Sequence, residues 1–310
     1  MSSASKTILT ILITGATAGI GRVTALHLAR QGHHVIASGR KRAELAKLKS
    51  EASGLNLDTL ELDVTSATSI VAAVATADAL TAGRGIDVLV NNAGFGVLGP
   101  TSEIGDAEMR RQYETNVFGL MNVTRAFIPQ MRARGSGRII NVSSLGGRIT
   151  LPYFGVYNST KYAIESLSDA LRYELRPFGI AVSLIEPGVI RTNFEATAVA
   201  KLGELTETPY SAALAKYEAM SKLADRFASE PIVIAKAIAR AVNARRPSAR
   251  YVAPFSQHFA LLLNAIMPTF VWDWAMRKLG FLSPKHLGVE RAVQPATPVV
   301  ARPESRAAAN

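Results

Sequence analysis

Thr14-Gly15-Ala16-Thr17-Ala18-Gly19-Ile20-Gly21 is the stretch that decides the fold of this chain. It follows an apolar run, Ile8 to Ile13, and opens a helical pattern from Gly19 to Gln31. A strand, a glycine-rich turn and a helix in that order make a cradle for a dinucleotide pyrophosphate. Glycine permits the tight turn and lets a phosphate reach the backbone. The helix N-terminus adds unpaired N–H groups and a partial positive charge. Gly15, Thr17, Ala18, Gly19, Ile20 and Gly21 are therefore read as phosphate-binding. The spacing departs from the common GxGxxG, and such a turn on its own also fits an ordinary strand-to-helix connection.

Outward from that turn, short apolar runs alternate with helical patterns. His34–Ser38, Leu57–Leu62, Val88–Asn91, Arg138–Ser143, Ile180–Ile185 and Arg250–Ala253 read as strands. Arg42–Ala52, Ile70–Leu80, Ala107–Arg132, Val156–Leu175 and Pro231–Ala244 read as helices. Strands apolar throughout are buried on both faces, as in a parallel sheet. The alternation implies right-handed crossovers and a doubly wound α/β sheet with helices on both faces.

The 310 residues carry a formal net charge of +11 and no cysteine. Disulfides and thiolate metal ligands are excluded, no metal site is expected, and a reducing compartment fits. No finger, basic heptad or aromatic RNA-binding signature accompanies the charge, so nucleic acid is not expected as a partner. The N-terminal apolar run is too short to span a membrane, and no signal-peptide cleavage site follows it. The expected location is the cytoplasm, with membrane association left open. Phe255–Phe281 is unusually apolar and is broken by Pro268. Substrate cover, peripheral membrane contact and a homo-oligomer surface are the three readings of it. Residues 283–310 are rich in Pro and Ala and read as a disordered tail.

Ala37-Ser38-Gly39-Arg40-Lys41-Arg42 closes the second strand without the acid that would grip a ribose 2′-hydroxyl. Guanidinium instead binds a 2′-phosphate by paired hydrogen bonds. Arg40 is the leading ligand, with Ser38, Arg42 and Arg22 as helpers, and NADP(H) is the expected cofactor; solvated charges at a helix start are the alternative. Asp63 and Val64 end the third strand, where the adenine would lie. Asn91-Asn92-Ala93-Gly94 ends the fourth, at the ligand crevice, although Asn at a strand end is also a turn former.

Tyr157 and Lys161 are four residues apart on a helix and share one face. A nearby ammonium is expected to lower the phenol's pKa from its ordinary value of about 10. The pair says little alone. Ser144 follows a strand thirteen positions upstream, where its hydroxyl can bond a substrate oxygen, and the adjacent Ser143 is an alternative. Asn116 lies inside a helix, a placement that signals a distortion or a bound water.

These motifs, with TGATAGIG, NNAG, YNSTK and Pro187-Gly188-Val189-Ile190-Arg191-Thr192, resemble the short-chain dehydrogenase/reductase family over residues 8 to 195. Gly146–Glu174 and the long C-terminal extension resemble its hydroxysteroid and retinol dehydrogenase branch. The resemblance implies one Rossmann-type domain, residues 1–254, with a C-terminal helical extension at 255–282. It implies Tyr157 as general acid/base and Lys161 as the group that lowers its pKa and binds the nicotinamide ribose. Ser144 would orient the substrate oxygen and Asn116 would hold a relay water. Asn91, Ala93 and Gly94 would close the cofactor pocket, and Pro187, Gly188, Val189 and Thr192 would cover the nicotinamide.

The residues expected around the substrate are Phe95, Val97, Leu98, Leu145, Tyr153, Phe154, Val189 and Phe194, with Arg148 as the one cation. An apolar lining favours a lipophilic ketone or aldehyde and its alcohol. A 3-oxoacyl thioester reductase and a non-catalytic dinucleotide-sensing protein are the competing readings.

Overall fold

Every short apolar run becomes a strand of one sheet. In the computed structural model, which describes residues 7–192, 208–224 and 228–288, seven strands lie side by side. They are β1 (Thr10–Ile13), β2 (His34–Gly39), β3 (Leu57–Glu61), β4 (Val88–Asn91), β5 (Gly137–Val142), β6 (Ile180–Pro187) and β7 (Arg250–Ala253). Their spatial order is β3-β2-β1-β4-β5-β6-β7, and every pairing is parallel. The order reverses between β1 and β4, the topological switch point where ligands bind in open α/β sheets.

Alternate residues of each strand feed two separate cores, as a period of two requires. Ile11, Ile13, Val35, Ala37, Val88 and Val90 face α1 (Gly19–Arg30), α2 (Arg42–Glu51) and a later helix, Pro231–Asn243. Leu12, Ile36, Leu60 and Leu89 face α3 (Ala67–Leu80), α5 (Leu120–Arg134) and α6 (Gly155–Leu175). The sheet is thus a Rossmann-type layer covered on both sides.

The single helix expected over 107–132 is two. A π-helical turn, Glu114–Gly119, separates α4 (Asp106–Tyr113) from α5, and Asn116 sits in it. The distortion that a mid-helix Asn signalled is present. Beyond β6 come α7 (Ser211–Ala224), α8 (Pro231–Asn243), α9 (Gln257–Ile266), α10 (Thr269–Leu279) and a one-turn α11 (Pro284–Leu287). Pro268 ends the apolar run as a helix and starts the next. Ser283 caps α11 by accepting the N–H of His286, so the first residues of the expected irregular tail are helical; residues 289–310 lie outside the described ones. Among the described residues no helix is long and apolar enough to cross a membrane.

Candidate active site

Two loops meet at the switch point and are stitched together. The Thr14 hydroxyl accepts the N–H groups of Asn92 and Ala93, both at 3.0 Å. The Asn92 side-chain amide donates to the carbonyls of Thr14 (3.0 Å) and Gly15 (3.1 Å). Gly15 has φ +64°, and a Cβ there would stand 2.9 Å from Ala93 Cα. A Cβ on Gly21 would collide with the Gly15 carbonyl. Only glycine closes this cradle. The first turn of α1 carries no acidic residue, so its positive end is unopposed by a nearby carboxylate. The Thr192 methyl lies 3.6 Å from the place of a Gly19 Cβ, which brings the segment after β6 over the cradle. A glycine turn of bare backbone at an unopposed helix N-terminus fits a dinucleotide pyrophosphate.

The 2′-phosphate candidates separate clearly. Arg22 pairs with Glu51 and Arg42 with Glu61. Among the described residues Arg40 is exposed and makes no ion pair. Ser38, expected as a helper, is fully buried and donates its hydroxyl to the Ile13 carbonyl at 3.0 Å, inside the sheet. Asp63 accepts the Thr65 N–H (2.9 Å) and hydroxyl (2.7 Å). Burial pushes its carboxyl up, but those donors and the Arg40 charge outweigh it and hold the group below the usual range. Val64 is buried against Gly119 in the π turn.

Asn91 does not point into the crevice. Its amide donates to Thr124 (2.8 Å) and Asn141 (2.9 Å) in the interior between β4 and β5. The side chain that closes the cradle is Asn92, which strand alternation turns the other way. Thr14 and Asn92 were not assigned a role from sequence, although both stand inside the motifs, Thr14 beside Gly15 and Asn92 two residues before Gly94.

The four expected catalytic residues converge. Two points in space show it. A Cβ on Gly94 would lie 3.1 Å from Asn116 Oδ1 and 3.9 Å from Lys161 Nζ. A Cβ on Gly146 would lie 3.3 Å from Ser144 Oγ and 3.5 Å from Tyr157 Cε1. Ser144 also accepts the Gly146 N–H at 3.0 Å, which fixes its hydroxyl. Ser143 faces the opposite way, next to the Glu165 side chain across Gly147. Asn116 donates to the Phe95 carbonyl (2.9 Å) and the Thr160 hydroxyl (3.1 Å), and accepts the Phe95 N–H at 3.1 Å. Its oxygen retains a second lone pair. Asn158, buried beside Tyr157, ties down the loop after Ser144 through the carbonyls of Gly146 (2.6 Å) and Ile149 (3.0 Å).

The electrostatics differ from the expectation that Lys161 lowers Tyr157. Burial pushes the Tyr157 phenol up to about 12, with the hydrogen bond to Ser144 opposing it. Lys161 Nζ lies 5.7 Å from the centre of the Tyr157 ring and donates to the Val142 carbonyl at 3.0 Å. That bond commits one of its three donors to β5. Burial brings Lys161 down to about 8, while Glu165, one helical turn on, raises it. Glu165 and Glu186 are buried around Arg250, with Glu165 Oε2 at 3.2 Å and Glu186 Oε1 at 3.1 Å. Arg148 reaches the same Glu186 oxygen at 3.4 Å, so it points into this cluster. The i+4 spacing of Glu165 from Lys161 was the signal that could have found it.

Beside Tyr157 stands an aromatic wall. Phe154 lies 6.3 Å from Tyr157 and 6.4 Å from Tyr217, ring centre to ring centre, and Tyr153 lies 5.2 Å from Tyr217. Leu98 and Leu214 pack with them. Phe95 lies under the Arg111 guanidinium at 4.3 Å. Val189 is half exposed, and Phe194 is outside the described residues. A buried, protonated phenol hydrogen-bonded to a serine hydroxyl can bind a carbonyl oxygen and protonate it.

The family model described as short chain dehydrogenase matches residues 9–203. The 3-ketodihydrosphingosine reductase of Bacteroides thetaiotaomicron is 34% identical over 272 residues, covering 86% of this chain and 96% of that protein. Human 17-beta-hydroxysteroid dehydrogenase type 1 is 36% identical over 253 residues, covering 78% and 76%. A solved structure titled the closed form of serine dehydrogenase complexed with NADP+ superposes with a TM-score of 0.70 at 29% identity, covering 80% of this chain and 96% of that one. With the glycine cradle, the convergent tetrad and these relatives together, the chain belongs to the short-chain dehydrogenase/reductase family of oxidoreductases that interconvert CH–OH and C=O groups.

Proposed function

We propose that this chain is a cytoplasmic NADPH-dependent reductase of a lipophilic ketone or aldehyde, with Tyr157 as the general acid. The observation that carries the reading is the placement of Tyr157. It is buried, hydrogen-bonded to Ser144 and set beside an aromatic wall. A phenol so placed can pass a proton to a carbonyl oxygen in reduction and take it back in oxidation, and the NADPH reading sets the reductive direction.

Bound NADPH supplies the hydride that adds to the carbonyl carbon. The residues that would hold it are Gly15, Thr17, Ala18, Gly19, Ile20 and Gly21 at the pyrophosphate, and Arg40 at the 2′-phosphate. Asp63 and Val64 would meet its adenine end, Ala93 and Gly94 would line its site, and Pro187, Gly188, Val189 and Thr192 would cover the nicotinamide. As the C=O π pair moves to oxygen, Ser144 hydrogen-bonds that oxygen and Tyr157 transfers its proton to it. The resulting phenolate is stabilised by the Lys161 ammonium, and Asn116 Oδ1 offers its remaining lone pair to a water on the reprotonation path.

The apolar character of Tyr153, Phe154, Leu98, Leu214 and Tyr217 supports a lipophilic substrate. Relatives named for a sphingoid ketone and for hydroxysteroids support the same class. The test is NADPH oxidation followed by absorbance against long-chain ketones, steroids, retinal and short water-soluble aldehydes. The expected result is turnover with the lipophilic members and preference for NADPH over NADH. Tight NADPH binding with no turnover on any member would replace the reading with a dinucleotide-sensing protein.

A further inference from the structure

Six of the fourteen exposed large apolar side chains among the described residues fall between Phe255 and Trp274. Phe255, Phe259, Leu262 and Ile266 are 85%, 65%, 56% and 68% exposed, and Phe270 and Trp274 are 74% and 59% exposed. Phe259, Leu262 and Ile266 recur at intervals of three and four residues and form one stripe along α9, with Phe255 in the turn that leads into it. Phe270 and Trp274 are one turn apart on α10. Neither helix contains a buried residue.

The opposite sides of the same helices are seated on the protein. A Cβ on Gly188 would meet the Gln257 side chain, and Asn264 reaches the Arg148 carbonyl. Trp272 and Met276 line a cavity of about 610 Å³ with Pro152, Tyr153 and Tyr162. The two helices thus rest on the segments that follow Ser144 and precede Tyr157, and turn an apolar face away from them. A contiguous patch of this kind marks an interaction surface.

Charge decides what meets it. Between Phe255 and Gly288 the cations Arg277, Lys278 and Lys285, all exposed, stand against one acid, Asp273. A two-fold contact with a second copy would set this patch on itself and bring those cations together. Trp274 precedes Arg277 and Lys278 by one turn, the pairing of indole and cation found at headgroup depth. Amphipathic helices with such faces lie in the plane of an anionic membrane surface.

We propose that the outer faces of α9 and α10 dock this protein on the surface of a bilayer containing anionic lipid, and that the seated faces present the active site to substrate leaving that bilayer. The second half rests on the lipophilic-substrate reading; the docking itself does not.

The test uses the full chain with phosphatidylcholine vesicles, with and without phosphatidylglycerol, read by co-sedimentation. The wild type is expected to sediment with the mixed vesicles, less with phosphatidylcholine alone, and less at high salt. The combined variant Phe255→Ser, Phe259→Ser, Ile266→Ser, Phe270→Ser removes no core residue. It is expected to lose vesicle affinity at least about tenfold, equal to about 1.4 kcal/mol, while NADPH binding holds. Equal sedimentation of variant and wild type would overturn the proposal. So would a wild-type dimer in analytical ultracentrifugation that ignores vesicles and dissociates in the variant. The readout needs no turnover, so failure of the substrate reading and failure of the docking are told apart.

Discussion

The hydroxyl of Tyr153 donates to the carbonyl of Gly280 at 2.5 Å. This bond joins the loop before α6 to the residue that ends α10, across 127 positions of sequence. Tyr153 is buried, has φ +67° and sits against Tyr217, so the loop that presents Tyr157 is held in a conformation rare for a non-glycine residue. The C-terminal extension is therefore part of the active-site scaffold. Replacing Tyr153 with Phe removes the donor and leaves the Gly280 carbonyl unpaired, at a cost of about 1–3 kcal/mol. Urea unfolding, read at unchanged slope, measures it.

The same bond locates the shortest working chain. Phe281 and Leu282 pack against the cluster containing Tyr153 and Tyr217. A chain ending at Gly288 is expected to keep the wild-type unfolding midpoint and NADPH affinity. A chain ending at Leu279 is expected to lose stability by more than Tyr153→Phe does. Parallel urea titrations of the two truncations distinguish them, and equal midpoints would free the wall from any dependence on Gly280.

Tyr157→Phe keeps the packed ring and removes the transferable proton. Loss of general acid catalysis costs about 10²–10⁴-fold in kcat. Because the side chain is neutral in the fold at pH 7, the substitution changes no charge, and the helix α6 is expected to form as before. Stopped-flow turnover beside circular dichroism checks both halves.

Arg40→Asp tests the cofactor assignment. Arg22 and Arg42 are occupied by Glu51 and Glu61, which leaves Arg40 to meet a 2′-phosphate. A charge-assisted hydrogen bond contributes about 1.5–3 kcal/mol, so the loss in NADPH affinity is expected to reach at least tenfold. NADH affinity is expected to hold or rise, because Asp accepts from a free 2′-hydroxyl. The ratio of kcat/KM for NADPH over NADH reads the result. A wild-type ratio below one would overturn the NADP assignment, and an unchanged ratio in the variant would move the phosphate ligand elsewhere.

Glu165→Gln tests the charge behind Lys161. Burial lowers Lys161 to about 8 and the Glu165 carboxylate opposes that shift. Removing the carboxylate lets burial act alone, so the lysine loses its proton at lower pH. The alkaline limb of kcat/KM is expected to move down in pH, while Glu165→Asp leaves it closer to wild type. A profile that does not move would show that Glu165 is itself protonated in the working range, in keeping with the upward push that burial gives its carboxyl.

The sequence by itself determined the layered sheet, the strand count and the place of the cradle. Those are local matters: apolar runs of strand length, glycines where a Cβ would collide, and helical spacing between Tyr157 and Lys161. A distortion at Asn116 was legible as one of two readings, because a polar residue inside a helix needs a reason, although the split of that helix in two was not. What only the tertiary structure decided is which neighbour of each pair does the work. Ser144 rather than Ser143, and Asn92 rather than Asn91, face the crevice, because the pleat and the adjoining strand fix the direction of each side chain. Arg40 stands apart from Arg22 and Arg42 because Glu51 and Glu61 come alongside from other segments. The raised pKa of Tyr157 is likewise a product of packing. Spacing places Lys161 on its face of the helix, but burial, opposed by Ser144 at the phenol and by Glu165 at the lysine, sets the direction in which each group shifts.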